Sequence, residues 1–236
     1  MKKDLLLAAS MWFPKPVRHY TFEPNTVNGN VLTDLSGVQN GAIVGSPVFT
    51  SGQRGNCVKL DGNSANYIDI GNTDFVQQTG VFSVAFWAKT QYTDSGIIMV
   101  LAGNTWASAQ PGWGVLFDDR PVAGNRGLRF FLSKGVDNQM IASIDAYDIL
   151  PTDGLYHHYV FTSDSARLYA YIDGSQVATK LYSFSINPSA TSVRNTSISG
   201  LIGIAGTAYN GEIDEFRIIP KTLTPQQVKR LYQQGQ

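Results

Sequence analysis

Charge is scarce in this chain. Asp, Glu, Lys and Arg make up 15% of its residues, against about a quarter in an ordinary soluble domain. Lys+Arg 18 balances Asp+Glu 18, so there is no general attraction to nucleic acid or to an anionic membrane surface. A single cysteine, Cys57, excludes an internal disulfide. Its setting in C-V-K-L-D reads as a small buried apolar residue rather than a reactive thiol. His and Cys are too few and too scattered for a zinc site. No Gly-x-Ser-x-Gly elbow, phosphate loop or EF-hand loop occurs.

Long hydrophobic runs are missing too. The N-terminal M-K-K-D-L-L-L-A-A-S-M-W-F partly imitates a secretory leader, but Asp4 interrupts its basic region and Pro14-Lys15-Pro16 follows without a small-x-small cleavage site. The run is also too short to span a bilayer. Its apolar side chains (Leu5, Leu6, Leu7, Met11, Trp12, Phe13) are surplus to any fold that starts at Val17. Residues 1–16 are therefore expected to form an arm, with Pro14 and Pro16 as a stiff spacer. Leu5, Trp12 and Phe13 would be its contacts to a protein partner.

What the chain does contain is strand pattern. Short apolar runs separated by Gly, Asn, Asp, Ser and Pro fill residues 17–219, and helical periodicity is nearly absent before residue 224. Phe82–Lys89 is apolar on both faces, as in a central strand covered on each side. Leu168–Ala178 reads as a hairpin turning at Asp173-Gly174. So many short strands make an all-β sandwich or barrel, in one domain over residues 17–236. Phe86, Trp87, Tyr169 and Phe216 are expected in its core.

The chain closes on Y-N-G-E-I-D-E-F-R-I-I-P-K-T-L-T-P-Q-Q-V-K-R-L-Y at 209–232. A strand of period two would place Ile213, Glu215, Arg217 and Ile219 on one face, and Glu212, Asp214, Phe216 and Ile218 on the other. Pro220 ends the strand. Thr224, Pro225 and Gln227 then form an N-cap, a first helical residue and a capping box. Val228, Leu231 and Tyr232 give the short helix one apolar side, and Gly235 suits its stop. Glu212 and Asp214 are spaced as in strand-borne glycosidase sites, but the next same-face position would be Phe216. The pair of carboxyl groups about 5 Å apart that retaining hydrolysis needs is not completed. A hydrogen-bonding or ion-ligating role is the simpler reading, and the chain is expected not to be an enzyme.

Asn104–Gly114 sets Trp106 and Trp113 among Gly, Pro, Ser and Ala. Exposed tryptophans on such a loop would offer flat faces to a sugar ring; alternatively, Trp113 opens a strand and packs inward. Asp119 and Arg126, on the next hairpin tip, complete the candidate ligand-binding set. His157 and His158 are adjacent, so on a strand they face opposite ways and cannot easily share one ion. One of them is expected in the core.

Several segments together resemble a known family. They are H-Y-T-F-E at 19–23, D-L-S-G at 34–37, G-N-C-V-K-L-D-G at 55–62, Y-I-D-I at 67–70 and F-S-V-A-F-W-A-K at 82–89. Y-H-H-Y-V-F-T at 156–162, L-Y-A-Y-I-D-G at 168–174 and G-E-I-D-E-F-R-I-I-P-K-T-L-T-P-Q-Q-V at 211–228 follow in order. Over residues 17–233 the chain resembles the concanavalin A-like, laminin G-like jelly-roll domains. Tyr156 stands where the family commonly has Trp, a change expected to affect packing only. The resemblance implies a two-sheet antiparallel jelly-roll sandwich with a short C-terminal helix. Members frequently serve as non-catalytic modules that bind glycans or proteins, and related glucanases carry a Glu-x-Asp-x-Glu set that this chain does not. The family also often holds one structural Ca²⁺. Carried over by position, Asp214 would be its best ligand and Glu23 the second, with backbone carbonyls near Asp61-Gly62 completing the shell.

The expected function is a lectin-like binding or adhesion module for a glycan or surface receptor, on a virion, a cell surface or outside the cell. The alternative is a structural or decoration subunit of a virion that binds mainly protein; a glycoside hydrolase is disfavoured.

Overall fold

The computed structural model describes residues 13–90, 98–105, 110–118, 127–134, 140–147, 153–181 and 187–235. Its strands are β1 (Arg18–Tyr20), β2 (Val27–Asn28), β3 (Val31–Leu32), β4 (Gly41–Val44), β5 (Val48–Ser51) and β6 (Asn56–Asp61). Then come β7 (Tyr67–Asp69), β8 (Val81–Thr90), β9 (Ile98–Gly103), β10 (Pro111–Asp118), β11 (Gly127–Lys134) and β12 (Met140–Tyr147). The last are β13 (His157–Asp164), β14 (Arg167–Ile172), β15 (Ser175–Leu181), β16 (Ser197–Ile198) and β17 (Asn210–Ile219). Among the described residues, helices cover Phe75–Thr79 and Pro225–Gln234.

The strands form two sheets. One runs β15-β14-β13-β8-β17-β6-β5, with β1 also on β17; the other runs β12-β11-β10-β9-β16-β7-β4-β3-β2. Every strand pairing in them is antiparallel. This is the expected two-sheet sandwich. The core lies between the sheets, where Phe82, Phe86, Phe161 and Phe216 of the first meet Trp113, Phe117 and Phe130 of the second.

The first sheet has a second buried face. Ala85, Val160, Tyr171 and Ile219 on its outer side pack against Leu223, Val228 and Leu231 of the closing segment. That is why β8 is apolar all round: its alternate residues enter two separate clusters. The C-terminal helix begins as its sequence requires, with Thr224 accepting from the Gln227 N–H, a reciprocal capping box and Pro225 in the first turn. Gly235 closes it, but at φ −96 rather than in a left-handed turn. Glycine is needed there because an added Cβ would collide with the Trp87 indole. At the β14–β15 hairpin, Asp173 and Gly174 do take positive φ, 50 and 77, as a two-residue turn demands.

Phe86, Trp87 and Phe216 are buried as expected, whereas Tyr169 is only half-buried. Tyr169 stands at the margin of the helix-covered face and donates to Asp164 at 2.9 Å. Phe13 also departs from expectation. It packs on that same outer cluster, so this part of the arm docks onto its own domain. Residues 1–12, with Leu5 and Trp12, lie outside the described residues.

Candidate functional site

β17 is not a regular strand. Its register against β8 moves from Asp214↔Trp87 to Arg217↔Ala85, which inserts one extra residue, and Glu215 takes φ 52. The insertion reverses the alternation beyond it. Ile213, Phe216 and Ile218 enter the core between the sheets, while Ile219 joins the outer cluster. The expected faces are thereby corrected: Phe216 does not follow Asp214 on one side. The inserted residue, Glu215, contacts Arg217 and His19, so the carboxylate that follows Asp214 at the bulge is engaged in an ion pair, a different arrangement from the one the sequence implied.

Three polar groupings surround this bulge. In the first, Glu212 accepts from the Tyr156 hydroxyl at 2.7 Å, with Lys89 Nζ 3.8 Å away. The same hydroxyl lies 3.2 Å from Cys57 Sγ. Burial and these neighbours push the Tyr156 hydroxyl well above its ordinary pKa. The Tyr in place of Trp thus does more than pack, since its hydroxyl anchors a carboxylate. Cys57 itself is buried and free, as expected.

In the second, Arg217 pairs with Glu215 and its Nε donates to His19 Nε2 at 3.0 Å. Burial works against the Glu215 carboxylate, but the His19 contact and the Arg217 charge hold it below its ordinary pKa. Cross-strand from Trp87, His158 is fully buried, its ring tilted against the indole with 5.1 Å between centroids. Desolvation, helped by Arg217, lowers its pKa to about 3. His157 faces the other way, between Asp173 at 2.6 Å and Asp153 at 3.1 Å.

The third grouping contains Asp214 and Glu23, and both grip the turn between β5 and β6. Asp214 Oδ2 accepts from the Arg54 N–H at 2.8 Å, and Glu23 Oε1 from the Asn56 N–H at 3.1 Å. Asp214 is completely buried and its Oδ1 has no hydrogen-bond partner. Desolvation, reinforced by Glu215 and Glu23, raises its pKa to about 7 despite the Arg54 hydrogen bond. An orphaned carboxylate oxygen beside a second carboxylate fits a hard cation such as Ca²⁺. Among the described residues no group of three or more His, Cys, Asp and Glu could hold a metal, so backbone carbonyls or water would have to complete the shell. Asp61-Gly62 cannot supply those carbonyls. They lie at the far end of β6 from Asn56, roughly 17 Å along the strand. The turn Gly52–Gly55 is there instead. Sequence reasoning missed it, although V-F-T-S followed by G-Q-R-G and N-C-V-K-L-D carries the signal of a Gly-containing hairpin.

Of the four ligand-binding candidates, Trp113 alone lies among the described residues. Trp113 is fully buried in the core and donates its indole N–H to Thr73 at 2.9 Å, so it presents no face to a sugar. Trp106, Asp119 and Arg126 lie outside the described residues. The connections that carry them leave opposite ends of β10, with Pro111 beside Lys134 and Asp118 beside Gly127. Those ends are roughly 23 Å apart along the strand.

A family model described as the concanavalin A-like lectin/glucanases superfamily matches residues 61–229. The chain belongs to that superfamily. No curated protein matches its sequence. Among solved structures it is similar to domain 4 of AbnA, a GH43 extracellular arabinanase from Geobacillus stearothermophilus, in complex with arabinotriose. The TM-score is 0.66 at 21% identity, covering 93% of this chain and 98% of that one. It is also similar to the binding domain of Paraclostridial Mosquitocidal Protein 1, with TM-score 0.68, 17% identity and coverage of 92% of this chain and 52% of that one. The binding domain of botulinum neurotoxin DC, in complex with rat synaptotagmin II, gives TM-score 0.69 at 14% identity, covering 94% and 52%. This superfamily member thus spans about half the length of those toxin domains. At such identities the likeness is one of fold. No helix among the described residues is long and apolar enough to cross a membrane.

Proposed function

We propose that the chain is a non-catalytic, lectin-like binding module whose ligand is an oligosaccharide. The observation that carries this reading is the end-to-end likeness to an arabinanase domain solved with arabinotriose, over 93% of this chain and 98% of that one. The lack of a paired-carboxylate cleft at β17 supports a binding rather than a hydrolytic role. Glu212 is tied to Tyr156, Asp214 is buried, and Glu215 is paired with Arg217. Trp106 is the proposed stacking residue. Asp119 and Arg126 are the proposed polar contacts.

Titration calorimetry against a panel of plant-wall and host-surface oligosaccharides, arabinotriose included, tests the reading. Binding that disappears in Trp106→Ala and weakens in the double variant Asp119→Ala, Arg126→Ala is expected. No binding across the panel, or release of reducing ends from any member, overturns it. A protein receptor is the second reading, favoured by the similar toxin domain solved with synaptotagmin II. A virion subunit draws its support from the apolar arm, and Phe13 is already occupied within this domain.

We further propose that Asp214 and Glu23 are ligands of a structural Ca²⁺. The cation would neutralise the buried carboxylate and fix the β5–β6 turn, with no part in any chemistry.

A further inference from the structure

A groove of about 470 Å³ opens beside β1, within the size range of small-molecule sites. Val17, Val81 and Pro220 line it from the ends of β1, β8 and β17. Phe75 adds an aromatic ring from the short helix, and Val38 comes from the β3–β4 connection. Val17 and Phe75 also pack on the main core, so this lining is anchored. Val38, by contrast, is 58% exposed.

The one charged residue in this lining is Arg18, which is only 6% exposed. Its guanidinium donates to the carbonyls of Ile70 at 3.1 Å, Val17 at 2.8 Å and Asn72 at 3.0 Å. The Val17 bond keeps the positive charge against the groove. These contacts use three of the five N–H donors, and none of the acceptors is charged. Among the described residues no carboxylate forms an ion pair with Arg18. Asp74, beside Phe75 in the chain, spends its carboxylate on Asn72 at 2.8 Å, Gln77 at 2.6 Å and Ser192 at 2.6 Å. A cation withdrawn from water without a counter-ion is costly. A ligand that brings a negative charge and an apolar body complements both the arginine and the walls around it.

We propose that this groove binds a small carboxylic acid with an apolar body, of the medium-chain fatty acid class. Its carboxylate pairs with Arg18 and its chain lies along Val17, Phe75 and Val81. The site shares no residue with the oligosaccharide contacts proposed above, so it stands or falls independently of them.

Titration calorimetry of the full chain with decanoate, kept below its micelle concentration, tests the site, with decanol as the uncharged control. One-to-one binding is expected, at least about tenfold tighter for decanoate than for decanol, the gain from one hydrogen bond to a charged group. Shortening the acid to nonanoate should weaken it about fourfold, the effect of one buried methylene. Arg18→Gln should bring decanoate down to the level of decanol. Because Arg18 also ties main-chain carbonyls, a second pair of variants leaves it in place. Val38→Glu and Val38→Lys add side chains of similar length at an exposed position; decanoate should bind more weakly to the first and more tightly to the second. No saturable binding, equal binding of acid and alcohol, or the same response in both Val38 variants overturns the proposal. Retention on phosphatidylglycerol vesicles without binding of free decanoate overturns it as well, and would make the anion a lipid headgroup.

Discussion

The rings of Trp87 and Tyr232 stack with centroids 5.6 Å apart and planes 27° from parallel, joining the middle strand of one sheet to the C-terminal helix. His158 adds a third ring, 5.1 Å from Trp87 and 6.2 Å from Tyr232. These contacts set the helix over the sheet, with Gly235 against the same indole.

Trp87→Ala should therefore cost about 3–5 kcal/mol, the usual range for truncating a buried large aromatic. Urea unfolding monitored by circular dichroism measures it. A change below about 1 kcal/mol would mean that the helix holds its place without the stack.

The buried histidine gives stability a pH dependence of definite sign. His158 has a pKa of about 3 in the fold and about 6.5 unfolded. Between those values the unfolded chain binds the extra proton, so stability falls as pH drops below about 6.5. His157 acts the other way. Burial opposes its protonation, but Asp173 and Asp153 raise its pKa, so its contribution is complete at low pH and fades as pH rises through the raised value. Replacing His157 by Asn should steepen the acid loss, and replacing His158 by Phe should flatten it. Denaturant midpoints measured from pH 4 to 8 would read both slopes; a His158→Phe curve parallel to wild type rules out this origin.

Asp214 tests the cation proposal. Without a bound cation its carboxyl has a pKa of about 7 in the fold against 3.8 ordinarily, so its contribution to stability should fall as pH rises between those values and level off above about 7. Millimolar Ca²⁺ should reverse the decline and raise the melting temperature of the wild type but not of Asp214→Asn or Glu23→Gln. Equal Ca²⁺ shifts in all three proteins would place the ion elsewhere.

At the bulge, Arg217 is held by Glu215 and His19. Glu215→Gln keeps the shape and removes the charge, and should cost about 1.5–3 kcal/mol, the range for a hydrogen bond to a charged group. Equilibrium unfolding near pH 7 checks this, and a loss within 0.5 kcal/mol would show that the pair is screened by solvent.

The all-β sandwich, the Thr224–Gln227 cap, the Asp173-Gly174 turn and the doubly apolar β8 were legible in the sequence. Each is written in local spacing, and the physics that produces it acts within a few residues. The opposite facing of His157 and His158 follows from the same local rule. Tertiary structure decided the rest. No local pattern marks the extra residue at Glu215, because a bulge depends on the neighbouring strands, and it alone turned Phe216 inward and Arg217 outward. Burial of Trp113 was open from sequence, since a tryptophan between glycines serves a strand or a loop equally well, and the Thr73 hydroxyl settles its indole. The meeting of Glu23, Asp214 and the Gly52–Gly55 turn joins segments roughly 30 and 160 residues apart along the chain. Only the packing of β1, β6 and β17 in one sheet brings these oxygens together, and burial there, rather than residue type, gives Asp214 its displaced pKa.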